Sequence, residues 1–253
     1  MAMATNFLSV IRHLLMIVRL VQFGFDMVLK VFLYSILGLL EAPVMPPNLK
    51  ADIVRYKVFI SGKSGVGKTT LAARLAGHNI PNMHYETTGM ETSVVFWPVK
   101  MRESGRVLFF HFQLWDCGEN AMRRFDHMLP SCKEQVDAIL FLFSFTDHSS
   151  FEDISNQISR ITNPSDRVVR LVVGTKFDLF MHTDVTESEI TQFQVWGVPV
   201  FRVGGDVSGG FGEIAPLLNT LAENLWHQDC VHSSSTTLPQ QSQQEDTSRE
   251  VIV

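Results

Sequence analysis

The chain has 253 residues, 45% of them apolar and 19% charged, enough for one sizeable domain with appendages. Lys and Arg number 21 against 26 Asp and Glu, a formal charge of −5, which argues against a nucleic-acid partner. Three cysteines, Cys117, Cys132 and Cys230, without C-x-x-C or His-rich spacing, argue against a disulfide framework or a zinc site and for a reducing compartment.

Composition divides the chain into an apolar stretch over residues 1–40, a linker over 41–53, a mixed domain over 54–227 and a polar tail over 228–253. The apolar stretch is interrupted by Arg12, Arg19, Asp26 and Lys30. From Phe7 to Leu40 its longest charge-free run, Val31 to Leu40, is shorter than the ~18–20 residues of a simple membrane span. Wound at about 100° per residue, the four charges share one narrow stripe. An amphipathic helix in peripheral contact with a membrane, or buried against a partner, is therefore expected. No small-residue cleavage site marks it as a signal peptide.

In the mixed domain, Tyr56 to Ile60 reads as a strand, and Thr69 to Ala76 as a helix with Leu71, Ala72, Leu75 and Ala76 on one face. Between them Gly62-Lys63-Ser64-Gly65-Val66-Gly67-Lys68-Thr69 matches G-x-x-x-x-G-K-[ST], in the strand-loop-helix context the motif requires. Backbone amides from Ser64 to Thr70 would close around phosphate oxygens, Lys68 would bridge the β- and γ-phosphates, and Thr69 would offer a hydroxyl to Mg²⁺.

Thr92 to Met101 and Arg106 to Trp115, separated by the turn-prone Glu103-Ser104-Gly105, read as a hairpin. In the second segment Phe110, Phe112 and Leu114 share one face, with His111 and Gln113 on the other, so His111 is read as structural. Ala138 to Phe143 is continuously apolar and Val168 to Val173 nearly so, as in strands covered on both faces. Val198 to Val203 is a shorter last strand, and Ile214, Leu217, Leu218, Leu221 and Leu225 fit the stripe of a closing helix that ends near Trp226.

The second buried strand runs into Gly174-Thr175-Lys176-Phe177-Asp178, similar to the [NT]-K-x-D signature of GTPases. A carboxylate at Asp178 can accept from both N1–H and the 2-amino group of guanine, a donor pair that adenine lacks. Thr175 and Lys176 would line the same base. The tail is dominated by Ser, Thr and Gln and is expected to be disordered. Its Val251-Ile252-Val253 end is either inert or a ligand for a groove that captures C-termini.

Together these motifs resemble the Ras superfamily from about Tyr56 to Trp226, with G-K-S-G-V-G-K-T and Thr87-Thr88-Gly89-Met90-Glu91 most like Rab proteins. The resemblance implies an α/β P-loop fold, a central, mostly parallel six-stranded sheet with helices on both faces. It also implies GTP or GDP with Mg²⁺ as ligands. Thr87 would then be the switch I hydroxyl on Mg²⁺, Asp116 would hold the metal from switch II, and Gly118 would meet the γ-phosphate. Trp115-Asp116-Cys117-Gly118-Glu119-Asn120 departs from W-D-x-x-G, and the usual catalytic glutamine is missing. Asn120 stands there in one alignment and Glu119 in the other. Activating proteins raise small-GTPase rates by about 10⁵-fold, so loss of the glutamine implies very slow unaided hydrolysis. The S-A-K base loop is replaced by Val203-Gly204-Gly205-Asp206, which implies modest base affinity.

The runs Val94 to Pro98, Trp115 to Glu119, Phe125 to Leu129 and Phe141 to Asp147 are similar to the Rab-like GTPases of the ciliogenesis and planar polarity effector complex. The first 37 residues lie outside that similarity. It implies a GTP-gated switch in cilium assembly, or a nearly hydrolysis-inactive scaffold subunit. It further implies the Fuzzy and Inturned subunits as partners, an exchange factor and activating protein yet to be found, and a place in the cytoplasm and cytoskeleton at the ciliary basal body. Thr92 stands where Rabs carry an effector-contacting phenylalanine, which points away from generic Rab effectors. With neither C-a-a-X nor a terminal cysteine pair, prenylation is not expected.

Overall fold

The computed structural model describes residues 45, 51–80, 87–101, 104–118, 134–163, 165–195, 198–205 and 210–236. In chain order these form β1 (Asp52–Gly62), α1 (Lys68–Leu75), β2 (Met90–Lys100), β3 (Val107–Cys117), β4 (Ala138–Ser144), α2 (His148–Glu152) and α3 (Ile154–Ile161). There follow β5 (Val169–Thr175), a kinked 3₁₀ helix (Phe177–His182), α4 (Glu187–Val195), β6 (Val200–Arg202) and α5 (Gly210–Thr236).

The strands make one six-stranded sheet in the order β2-β3-β1-β4-β5-β6, and only the β2–β3 pair is antiparallel. The fold class is the one the motifs imply. Every residue of β4 is buried, which explains its uninterrupted apolar run: alternate side chains feed cores on opposite faces. Leu140 and Leu142 join Val58, Ile60, Phe110 and Phe112 beneath α1 and α5. Ile139, Phe141 and Phe143 join Phe59 and Val172 beneath α2, α3 and α4. The parallel strands β1, β3, β4 and β5 thus all end at the one sheet edge that carries the motifs.

The folded unit is longer than composition implies at both ends. β1 begins at Asp52, inside the expected linker, because backbone pairing from Asp52↔Leu108 to Ile60↔Asp116 extends it past its apolar center. Met45 also packs against the core. At the other end α5 continues to Thr236, so the first part of the expected disordered tail is helical. Contacts from far along the chain hold it: the Tyr56 hydroxyl donates to Asp229 Oδ2 at 2.6 Å, and Arg167 donates to His232 Nδ1 at 2.7 Å. The expected N-terminal helix, the end of the tail and Cys132 lie outside the described residues.

Candidate nucleotide site

The phosphate loop leaves β1 at Gly62 and enters α1 through Gly67, whose φ of 93° is left-handed and suits glycine. The Gly67 carbonyl accepts from the Leu71 N–H at 2.9 Å, the first bond of the helix. No acidic residue of its own occupies the first turn of α1 and no side chain caps it, so the helix supplies no carboxylate to the positive end of its dipole. Lys68 is buried and its ammonium donates to the carbonyls of Gly62 and Lys63, each at 2.9 Å, so the lysine spans the loop it serves. Ser64 and Gly65 are exposed at the loop tip, Val66 is buried beneath it, and Thr70 follows Thr69 in the first turn of α1.

Three oxygen-bearing side chains assigned to the metal converge although they come from three segments. Thr69 Oγ1 donates to Asp116 Oδ2 at 2.5 Å and lies 2.8 Å from Thr87 Oγ1. Since Thr69 has one proton and gives it to the carboxylate, the Thr87 hydroxyl donates to Thr69. Asp116 is 2% exposed, and its Oδ1 is buried without a partner among the described residues. Burial pushes its carboxyl above the usual range, against the pull of the Thr69 hydrogen bond and of Lys68.

An orphaned carboxylate oxygen beside two hydroxyls is a hard-oxygen donor set that fits Mg²⁺. Among the described residues no three His, Cys, Asp or Glu side chains converge, so this is no all-protein cage; such a site would take its remaining ligands from phosphate and water.

Gly118 closes one side of this cluster. Its N–H donates to the Gly89 carbonyl at 3.1 Å, continuing the β2–β3 ladder by one step. The amide assigned to a γ-phosphate is thus engaged by the segment that carries Thr87. Glu119 and Asn120, the residues weighed for water positioning, lie outside the described residues.

At the other end of the sheet edge, β5 delivers the base motif. The Thr175 hydroxyl donates to the Val66 carbonyl at 2.5 Å, with the Phe143 carbonyl oxygen 3.0 Å away, and so ties the base motif to the phosphate loop. Lys176 adopts φ 58°, a left-handed conformation costing about 1 kcal/mol or more, which marks a position held by its surroundings. Asp178 is exposed beyond it, where its carboxylate accepts the Gly205 N–H at 2.5 Å.

A Ras family model matches residues 57–198. The chain belongs to the Ras family. It is 75% identical over 217 residues to ciliogenesis and planar polarity effector 2 of Danio rerio, covering 85% of this chain and 86% of that protein. Against the Homo sapiens protein of that name identity is 50% over 220 residues, covering 82% and 85%. Ras-related protein Rab-13 of Mesocricetus auratus is 31% identical over 172 residues, covering 67% and 79%.

Within the Ras family frame, the structure adds residues that no motif announced. Arg74 on α1 and Glu213 on α5 both reach the backbone of Gly204, within the loop that replaces S-A-K. Lys63 donates to the Ser149 carbonyl at 2.7 Å and braces the phosphate loop against α2. The missing base loop was itself visible in the chain. Its two neighbors were not, because each is an ordinary charge on an amphipathic helix until the fold brings them together.

Proposed function

We propose that this chain is a Rab-like, GTP-gated switch in cilium assembly, acting at the basal body in axoneme formation and in targeted exocytosis or ciliary protein transport. The observation that carries the reading is the contact of Thr69 with both Thr87 and Asp116. One hydroxyl on the phosphate-loop helix thereby touches both switch segments, so a change at the phosphates reaches both at once. Ser64, Gly65, Val66, Gly67, Lys68, Thr69 and Thr70 would hold the phosphates; Thr175, Lys176 and Asp178 would hold guanine; Thr69, Thr87 and Asp116 would hold Mg²⁺. The metal, when bound, neutralizes charge on phosphate oxygens. Gly118 would exchange its bond to Gly89 for one to the γ-phosphate.

The relatives named for the ciliogenesis and planar polarity effector support membership of that complex; Fuzzy and Inturned would be the partners captured in the GTP form. Competition of GTP, GDP and ATP for the purified chain tests guanine choice; equal competition by ATP rejects it. Pull-downs with GTP-analogue-loaded and GDP-loaded protein test the gate, and equal capture in both states rejects that.

A second reading, a nearly hydrolysis-inactive scaffold subunit, is favored by the absent glutamine beside Gly118. Single-turnover hydrolysis with and without cell extract separates the two. Phosphate release in extract supports a cycling switch, and none under either condition supports the scaffold.

A further inference from the structure

Arg74 is a buried guanidinium on the helix that carries Lys68 and Thr69, its side chain 5% exposed. A buried charge is costly unless partnered, so the direction in which it is partnered is informative. Its Nη1 donates to the Gly204 carbonyl at 2.5 Å, and its Nη2 lies 3.1 Å from Glu213 Oε2. The same Oε2 accepts the Gly204 N–H at 3.1 Å. One peptide unit on each side of Gly204 is therefore gripped, the carbonyl by the cation and the N–H by the anion.

The next residue, Gly205, donates its N–H to Asp178 Oδ1. A Cβ on Gly204 would fall 3.3 Å from both Cβ and Oδ1 of Asp178 and 3.4 Å from Glu213 Oε2, tighter than ordinary contact. The glycine loop thus approaches the carboxylate more closely than a loop with side chains would. An ionized carboxylate has about four lone-pair sites, so one backbone donor sets its rotation and leaves acceptors for two more.

We infer that Arg74 and Glu213 are positioning residues for base recognition, clamping the Gly204–Gly205 loop so that its amide aims Asp178 at the two guanine donors. The inference rests on the guanine reading proposed above and deepens it. The clamp supplies in side chains on two helices what the absent S-A-K loop would supply in its own sequence. Because Glu213 is 41% exposed, the ion pair itself is screened and adds little stability; its consequence is the orientation of the two peptides that flank Gly204.

The test compares dissociation of GDP and of IDP, which lacks the 2-amino group, from the full chain and from Arg74→Ala, Glu213→Ala and the double variant. Each single variant should speed GDP release by about tenfold, the scale of one charge-assisted hydrogen bond, and shift the GDP-over-IDP preference toward one. The double variant should do little more, since the two residues pair with each other and act through the same residue, Gly204. Equal acceleration of GDP and IDP release, with the preference intact, would mean a general loosening and would overturn the clamp. Should Arg74→Ala not fold, Glu213→Ala, which removes a half-exposed carboxylate, decides alone. An Asp178→Asn chain that keeps the wild-type preference for GDP would instead refute the guanine reading itself.

Discussion

Gly118 sits so close to Thr87 that a Cβ added to it would fall 1.9 Å from the Thr87 carbonyl oxygen. The obstacle is backbone, which cannot swing aside as a side-chain tip can. Gly118→Ala must therefore part the two switch segments or displace Thr87 from Thr69. GTP-dependent partner capture should fall roughly tenfold or more, about 1.4 kcal/mol, while GDP affinity changes little. Titrating a partner against analogue-loaded protein measures the first, and GDP competition the second. Wild-type capture would mean that the close approach plays no part in the gate.

Asp116 holds a buried oxygen with no partner among the described residues, beside the Thr69 and Thr87 hydroxyls, so divalent cation should govern how long nucleotide stays bound. Chelating Mg²⁺ with EDTA should accelerate GDP release from the wild-type chain. In Asp116→Asn the release is already fast, and EDTA should add little, because the carboxylate charge that favors the cation has gone. Stopped-flow release with and without EDTA measures both. An Asp116→Asn chain that responds to EDTA as the wild type does would remove Asp116 from the metal site.

Asp178 is expected to choose the base, and exchange of its carboxylate for an amide reverses one acceptor into a donor. Asp178→Asn should weaken GDP binding by roughly two orders of magnitude or more and improve binding of xanthosine diphosphate, whose 2-oxo group accepts from the new amide. Equilibrium competition between the two nucleotides reads this directly. Unchanged GDP affinity would show that the ring lies elsewhere.

The strands and the phosphate loop were legible because local signals and burial agree there. Ala138 to Phe143 is apolar at every position, and the structure buries every position on one face or the other. Gly62 to Thr69 carries its own loop chemistry between a strand and a helix. The residues that escaped are those whose meaning depends on partners far along the chain. Asp229 and His232 lie in a Ser- and Gln-rich stretch that composition reads as disordered, yet Tyr56 and Arg167 anchor them. Arg74 and Glu213 carry no motif, and only the meeting of α1 and α5 beside Gly204 reveals them. β6 is Val200–Arg202, shorter than the expected Val198 to Val203, with those three residues in register with β5.

The anchor on α5 can be removed by one atom. Tyr56 is buried, and its hydroxyl pKa is raised well above the phenolic range, first by burial and then by the hydrogen bond to Asp229. Tyr56→Phe keeps the stacking on Phe110 and deletes only the donor. Stability should fall by about 0.5–1.5 kcal/mol, the net value of one such hydrogen bond. Amide exchange should quicken at residues 228–236 before it does in β1. Uniform protection along α5 in the variant would show that other contacts hold this end.

His148 and Glu189 give the domain a pH-dependent tie between α2 and α4. His148 Nε2 lies 2.8 Å from Glu189 Oε1, and Nδ1 is 3.5 Å from Glu152 Oε1. The hydrogen bond to Glu189, with further help from Glu152 and Asp184, raises the imidazole above its ordinary 6.5. The same bond and two from Thr186 hold Glu189 down to about 2, from an ordinary 4.5. A raised base stabilizes fully below its unfolded value and loses that contribution as pH climbs through the folded one; a depressed acid stabilizes above its unfolded value and loses it as pH falls. The pair is therefore fully effective between 4.5 and 6.5 and weakens on the alkaline side as His148 gives up its proton. His148→Gln should lower Tm measurably near about pH 5.5 and much less near about pH 8.5. Thermal melts of both chains across that range decide it, and a deficit that stays constant with pH would show that the imidazole contributes packing rather than charge.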